Sequence, residues 1–288
     1  MRTPTKQFLV GAGVMCAVFL WASAPAIDAQ NEGQSQRLAA KSERVYSENP
    51  AAFYEAAYDS AQISSDGKWI AYHSHRSRTP VSSYEAAGST DDLYLRRVSD
   101  GPSEEIRLTD FGWEDGVADW APDSLRLVFD SWERGGPQGV SKPWIVTIEP
   151  SNGKPVRVER LPLSDRIKDA SFESWSPKGD EIALEERTGA NGHILWVVST
   201  DGKRAEKLVE YTGGTYGGLG WTPDGKTIVY GALAGERMQI FAIPRSGGSP
   251  RQLTNDPANL MHPQVSPDGR WIACTRMSQS KEIRRLKL

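Results

Sequence analysis

Trp221-Thr-Pro-Asp-Gly-Lys-Thr-Ile-Val-Tyr230 is one of five renderings of a single phrase. The others are Ile63-Ser-Ser-Asp-Gly-Lys-Trp-Ile-Ala-Tyr72, Trp120-Ala-Pro-Asp-Ser-Leu-Arg-Leu-Val-Phe129, Trp175-Ser-Pro-Lys-Gly-Asp-Glu-Ile-Ala-Leu184 and Val265-Ser-Pro-Asp-Gly-Arg-Trp-Ile-Ala-Cys274. Their turn residues, Gly67, Ser124, Gly179, Gly225 and Gly269, recur at intervals of about 44 to 57 residues. A strand-turn-strand signature at that period marks a repeat architecture, above all propeller blades. The chemistry of the phrase is that of a hairpin. The prolines at 122, 177, 223 and 267 pre-set φ for the second turn position, and the glycines accept the positive φ that closes the turn. Ser124 breaks the pattern, which predicts a less ideal or differently shaped second turn.

The run after each turn, such as Thr227-Ile-Val-Tyr230, is apolar on both faces. A sheet with one wet face would alternate instead, so these strands are expected between two packed sheets. Trp120, Trp175 and Trp221 share one position before the turn and read as inter-blade packing. A second phrase completes each unit. Examples are Asp92-Leu-Tyr-Leu-Arg-Arg-Val98 leading into Ile106-Arg-Leu-Thr109, and Met238-Gln-Ile-Phe-Ala-Ile243 leading into Arg251-Gln-Leu-Thr254. Each unit then holds four strands. The fifth stops at Glu282-Ile-Arg-Arg-Leu-Lys-Leu288 and supplies three. The reading is all-β, a β-propeller over 57–288 with five recognisable repeats, five blades in preference to six.

The first 29 residues read differently. Arg2 and Lys6 precede an apolar run from Phe8 to Ala22, followed by Ala24, Ala26 and Ala29. That is a signal peptide pattern, with an uncleaved anchor as the competing reading. It points to a periplasmic or secreted protein with no membrane span in the mature chain. Residues 30–56 are expected to be a linker, with Arg44 to Tyr54 able to supply the strand missing from the last unit and so fasten the ring. Ser77 to Thr90 is a polar insertion in the first unit. The composition is that of an ordinary globular protein, with 38% hydrophobic and 25% charged residues and a net charge of −3. That balance carries no basic signature of a nucleic-acid partner.

Searches for chemistry return little. Gly-x-Ser-x-Gly is absent; Gly247-Gly-Ser-Pro-Arg251 lacks the last glycine and lies in a turn, so no catalytic residue is assigned. There is no HExxH motif and no cysteine pair. His73 and His75 share a strand face but read as surface or loop residues, so no metal or other cofactor is assigned. Cys274 falls where other copies carry Tyr72, Phe129, Leu184 and Tyr230, which makes it a buried apolar filler. The glycines of Gly213-Gly-Thr-Tyr-Gly-Gly-Leu-Gly220 lead into a strand, unlike a phosphate loop. Residues ahead of the hairpins remain: Asp59, Asp115, Tyr216 and His262 are the candidate binding residues at the channel mouth, the default ligand site of a ring.

The phrase Trp-Ser/Thr-Pro-Asp-Gly-Lys-x-Ile-Val/Ala, together with Pro250-Arg-Gln-Leu-Thr254, resembles the TolB-type propeller repeat across nearly all of 57–288. The resemblance implies a propeller, usually of six blades, in periplasmic and secreted bacterial proteins, where TolB docks a peptidoglycan-associated lipoprotein. This chain has five copies and no room for the α/β domain that precedes the TolB propeller. Similar repeats form the propeller of prolyl-oligopeptidase-type peptidases, which add a hydrolase domain. The function expected is an exported, non-catalytic propeller that binds a protein or peptide, such as an envelope protein. One alternative is the propeller of, or partner to, such a peptidase. Another is a propeller enzyme holding a metal or small ligand in its channel.

Overall fold

The computed structural model describes residues 57–75, 91–99, 105–111, 114–133, 140–213, 218–277 and 281–287. The expected signal peptide, linker, ring-closing segment and polar insertion lie outside them, as does Tyr216. Among the described residues there is no helix, and so none long and apolar enough to cross a membrane.

Among the described residues, five antiparallel sheets follow one another in sequence order. Sheet 1 comprises β1 (Ala57–Ile63), β2 (Trp69–His75), β3 (Asp91–Arg97) and β4 (Ile106–Arg107). Sheet 2 comprises β5 (Glu114–Trp120), β6 (Arg126–Glu133), β7 (Val140–Ile148) and β8 (Pro155–Arg160). Sheet 3 holds β9 (Ala170–Trp175), β10 (Glu181–Arg187), β11 (Gly192–Ser199) and β12 (Ala205–Thr212). Sheet 4 holds β13 (Leu219–Trp221), β14 (Thr227–Ala234), β15 (Arg237–Pro244) and β16 (Arg251–Gln252). Sheet 5 has three strands, β17 (Asn259–Val265), β18 (Trp271–Met277) and β19 (Lys281–Lys287). The first strands of successive sheets pack on one another, β1 on β5, β5 on β9, β9 on β13 and β13 on β17. That is the arrangement of a β-propeller, with these strands innermost.

The apolar runs do what two-sided patterning predicts. Along β10, Ile182 and Leu184 join a core with Val128 and Ile145 of sheet 2, while Ala183 joins Trp221, Ile228 and Tyr230 of sheet 4. Equivalent cores lie between sheets 1 and 2, around Leu95, Leu127 and Phe129, and between sheets 4 and 5. Cys274 belongs to the last of these and is buried; desolvation pushes its thiol up to about 11, where it behaves as an apolar filler. The shared tryptophans bind the sheets together. Trp120 Nε1 donates to the carbonyl of Gln62 at 3.1 Å, and Trp221 Nε1 to that of Ser174 at 3.1 Å, each in the preceding sheet.

The turns add a second tie. Ser64, Thr222 and Ser266 each donate a hydroxyl to the turn aspartate two residues on, at 2.6–2.7 Å, and accept the backbone N–H that restarts the strand. Successive turns also stack: a Cβ placed on Gly179 would lie 3.0 Å from Pro122 of the preceding sheet. The second turn has the shape of the others but is less ideal, as expected, because Ser124 takes the left-handed conformation. It closes with the same backbone bond as the others, Ser124 N to Ala121 O at 3.0 Å, with Ser124 itself at φ 58°. Its hydroxyl accepts the N–H of Asp66 in sheet 1 at 3.0 Å, a bond that glycine could not make. His73 also departs from expectation. It stands on β2, half-buried and directed with Ala71 toward sheet 2, because the strand runs on past the apolar phrase.

Candidate functional site

The wall of the channel is set by a bulge that recurs in the innermost strands. Register slips between Asp59 and Gln62, between Asp115 and Ala118, between Ser171 and Ser174, and between Met261 and Gln264. A bulge lets one residue leave the ladder and re-aims its side chain. Aligning the sheets on their pairing puts Val117, Phe172, Gly218 and His262 on the same step. Three of these are left-handed: Phe172 at φ 55°, Gly218 at 74° and His262 at 51°. For a residue with a Cβ that conformation costs about 1–2 kcal/mol, and such strain concentrates where a site requires it. His262 is exposed and Phe172 half-buried. Gly218 is obligatory for a second reason, since a Cβ there would meet the His262 Cα at 3.0 Å.

The three sequence candidates among the described residues fall on different steps. Asp59 is paired with His73 at the start of the bulge in sheet 1. Asp115 lies one step earlier and is an interior residue, 1% exposed. It accepts the hydroxyl of Ser131 at 2.5 Å and that of Thr109, and Thr109 also takes the N–H of Leu93. Asp115 therefore knits sheet 1 to sheet 2. Burial raises its carboxyl to about 7; the two hydroxyls oppose the shift, while the Asp92 and Asp130 charges add to it. His262, unlike the buried Asp115, is exposed at its bulge.

Sequence reading missed a run of acids beside this wall, the half-buried Asp119 and Asp130 and the interior Glu173. Asp119 crosses from sheet 2 to sheet 3: its Oδ2 accepts Ser174 Oγ at 3.0 Å and the N–H of Trp175 at 2.8 Å. Burial lifts its carboxyl to about 6 against those bonds. Asp130 accepts Ser141 Oγ at 2.9 Å, and its carboxyl is raised by burial. Glu173 is 3% exposed and neither carboxylate oxygen has a hydrogen-bond partner. Its neighbour-by-neighbour signal is visible only once the repeats are aligned: Glu173 stands where the other sheets carry Ala61, Ala118, Leu219 and Pro263.

A further cluster lies between sheets 3 and 4. His193 Nδ1 is 2.6 Å from Glu185 Oε1, and Tyr211 donates to Glu185 Oε2 at 2.5 Å with its ring stacked on His193. His193 and Glu185 are buried, and burial first, then the Glu185 charge, hold the Tyr211 phenol well above its ordinary range. The trio is a packing element, with the phenol kept protonated. Among the described residues no group of three or more His, Cys, Asp or Glu is arranged to hold a metal ion.

No family model matches the chain. An uncharacterized peptidase, YuxL of Bacillus subtilis, is 27% identical over 153 residues, covering 53% of this chain and 20% of its own length. The match therefore takes in only a fifth of that relative. Among solved structures, a protein assigned as TolB from Agrobacterium tumefaciens superposes with a TM-score of 0.61 at 16% identity, covering 81% of this chain and 78% of that one. TolB from Acinetobacter baumannii gives 0.60 at 19% identity, covering 77% of this chain and 50% of its own. In fold, the chain is a TolB-like β-propeller.

Proposed function

We propose that the protein is an exported, non-catalytic propeller of five blades that binds a protein or peptide, most simply an envelope protein, at the mouth of its channel. The observation that carries this reading is the paired strain of Phe172 and His262, two non-glycine residues held left-handed on the same step of the innermost strands. An aromatic ring on β9 and an imidazole on β17, with Gly218 ahead of β13 on the step between them, suit the backbone and side chains of a peptide lying along the wall. The signal pattern of residues 1–29 supports the periplasm as the compartment.

The test is capture from native envelope by the full chain, tagged at its C-terminus, beside the same chain carrying His262→Ala. A stoichiometric protein partner lost from the variant supports the site. A partner retained equally by both, or none at all, counts against it. The match to YuxL favours one second reading, a propeller belonging to or serving a prolyl-oligopeptidase-type peptidase. Co-capture of a protein that reacts with a fluorophosphonate probe would select it.

A further inference from the structure

Sheets 2 and 3 each carry a carboxyl group at the inner end of their contact. Val128 on β6 packs toward sheet 3, and Asp130, two residues on, shares that face. Glu173 lies in the β9 bulge, on the step where Ala118 and Leu219 pack toward the preceding sheet, and so faces sheet 2. After burial, the Asp130 charge acts most strongly on Glu173, and the Glu185 charge adds to it, both disfavouring the ionised form. Asp130 is anchored, with one oxygen taking the Ser141 hydroxyl and the other over Gly116, where a Cβ would come within 2.3 Å of Oδ1. Glu173 is interior and neither oxygen has a donor. An ionised carboxylate without donors, turned toward a second carboxylate, is not a stable arrangement in a protein interior, whereas a neutral carboxylic acid there is.

We propose that the interface between sheets 2 and 3 is a proton-held clamp: Glu173 is kept as the neutral acid facing Asp130, and loss of that proton as pH rises loosens β9 from β6.

The surrounding charges do not supply an alternative. On β5, Asp115 and Asp119 are acids themselves, the latter saturated by Ser174 and Trp175. On β7, Lys142 turns to the carbonyl of Lys168. On β10, Glu185 is engaged by Tyr211 and His193, Glu186 accepts Trp196 Nε1 and the N–H of Lys168, and Arg187 pairs with Asp169. Arg126 on β6 lies over the Trp175 ring and bonds Asp123. His73 and Arg187 act on Asp130, favouring its ionised form. β13, Leu219–Trp221, brings no titratable group. Charge is thus left on Asp130, and the proton on Glu173. The sign follows: the folded state holds a proton that the unfolded chain gives up in the ordinary glutamate range. The contribution to stability is present in acid and lost as pH rises above that range.

The experiment is thermal unfolding of the full chain and of Glu173→Gln from about pH 5 to about pH 8.5, with amide exchange of β6 and β9 read against β14 and β18. Glutamine copies the neutral acid and cannot ionise. The wild type is expected to lose melting temperature as pH rises, with protection falling in β6 and β9 first. Glu173→Gln should match it in acid, melt above it at the alkaline end and keep that protection. Parallel melting curves for the two proteins would overturn the proposal. So would a rise of the wild-type melting temperature on adding calcium at alkaline pH that Glu173→Gln abolishes, which would replace the proton by a cation. Should Glu173→Gln fail to fold, Asp130→Asn decides: relieving the facing charge must flatten the pH dependence of melting, and an unchanged slope sinks the clamp.

Discussion

Two inter-sheet contacts in this molecule are built on one register and differ in what they put there. Between sheets 4 and 5 the surfaces are apolar throughout, with Val229, Ile240 and Ala242 meeting Leu260, Ile272 and Cys274. At the steps occupied by Asp130 and Glu173 in sheets 2 and 3, sheets 4 and 5 carry Gly231 and Pro263. The outer part of the 2–3 contact is equally apolar, with Val128 and Ile145 against Ile182 and Leu184. The repeat therefore dictates the outer core of each contact, where the hairpin phrase supplies the side chains. It leaves the inner end free, where the bulge detaches side chains from the ladder. Stability is shared by all the contacts; pH sensitivity is expected where buried acids sit, at the 2–3 contact with Asp119, Asp130 and Glu173 and at the 1–2 tie through Asp115.

The largest effect expected from this contrast is at the apolar contact. Ile272→Ala removes a side chain that is fully buried between sheets 4 and 5 and should cost about 2–5 kcal/mol. Denaturant unfolding should give the same loss at about pH 5 and about pH 8, since the one titratable side chain in that core cluster, the Cys274 thiol, stays protonated in the fold at both. A loss that changed with pH would break the comparison.

Asp119→Ala probes the acidic contact with a smaller effect. It strands the N–H of Trp175 and the hydroxyl of Ser174, at a cost of about 1–3 kcal/mol. Burial holds the Asp119 carboxyl at about 6, above its unfolded value. Its contribution is therefore whole below the ordinary aspartate range and declines as pH rises through that value. The penalty of the substitution should shrink over the same window, and unfolding of the two proteins across that window measures it. A penalty that grew with pH would show the ionised carboxylate, not the neutral acid, to be the better partner of those donors.

How far the sequence reveals this follows from what is local. The hairpin phrase was legible because turn chemistry acts over five or six residues, and the same is true of the buried Cys274, which inherits its place from the phrase. The three-stranded fifth sheet could be counted from the spacing of apolar runs. The inner ends were not legible because they depend on register. Asp59, Asp115 and His262 stand 8, 9 and 7 residues ahead of their turn residues Gly67, Ser124 and Gly269, so the count already puts them on three steps; what it does not show is which of those steps falls in the bulge. Left-handed Phe172 and the donorless Glu173 carry no composition signal at all; both emerge only when the strands are paired and the sheets stacked.

The smallest effect separates strain from bonding at the second turn. Ser124 takes the conformation that the other copies give to glycine, at φ 58°, which costs a residue with a Cβ about 1–2 kcal/mol. In return its hydroxyl accepts the Asp66 N–H at 3.0 Å and ties sheet 1 to sheet 2, worth about 1 kcal/mol. Ser124→Gly removes both the strain and the bond, so its stability should be close to that of the wild type. Ser124→Ala keeps the strain and loses the bond, so it should be less stable by about 1 kcal/mol. The order in urea unfolding is the readout. If alanine equals serine while glycine gains, the bond to Asp66 contributes nothing, and the tie between sheets 1 and 2 rests on their shared apolar core, the Trp120 indole and the Asp115 bonds.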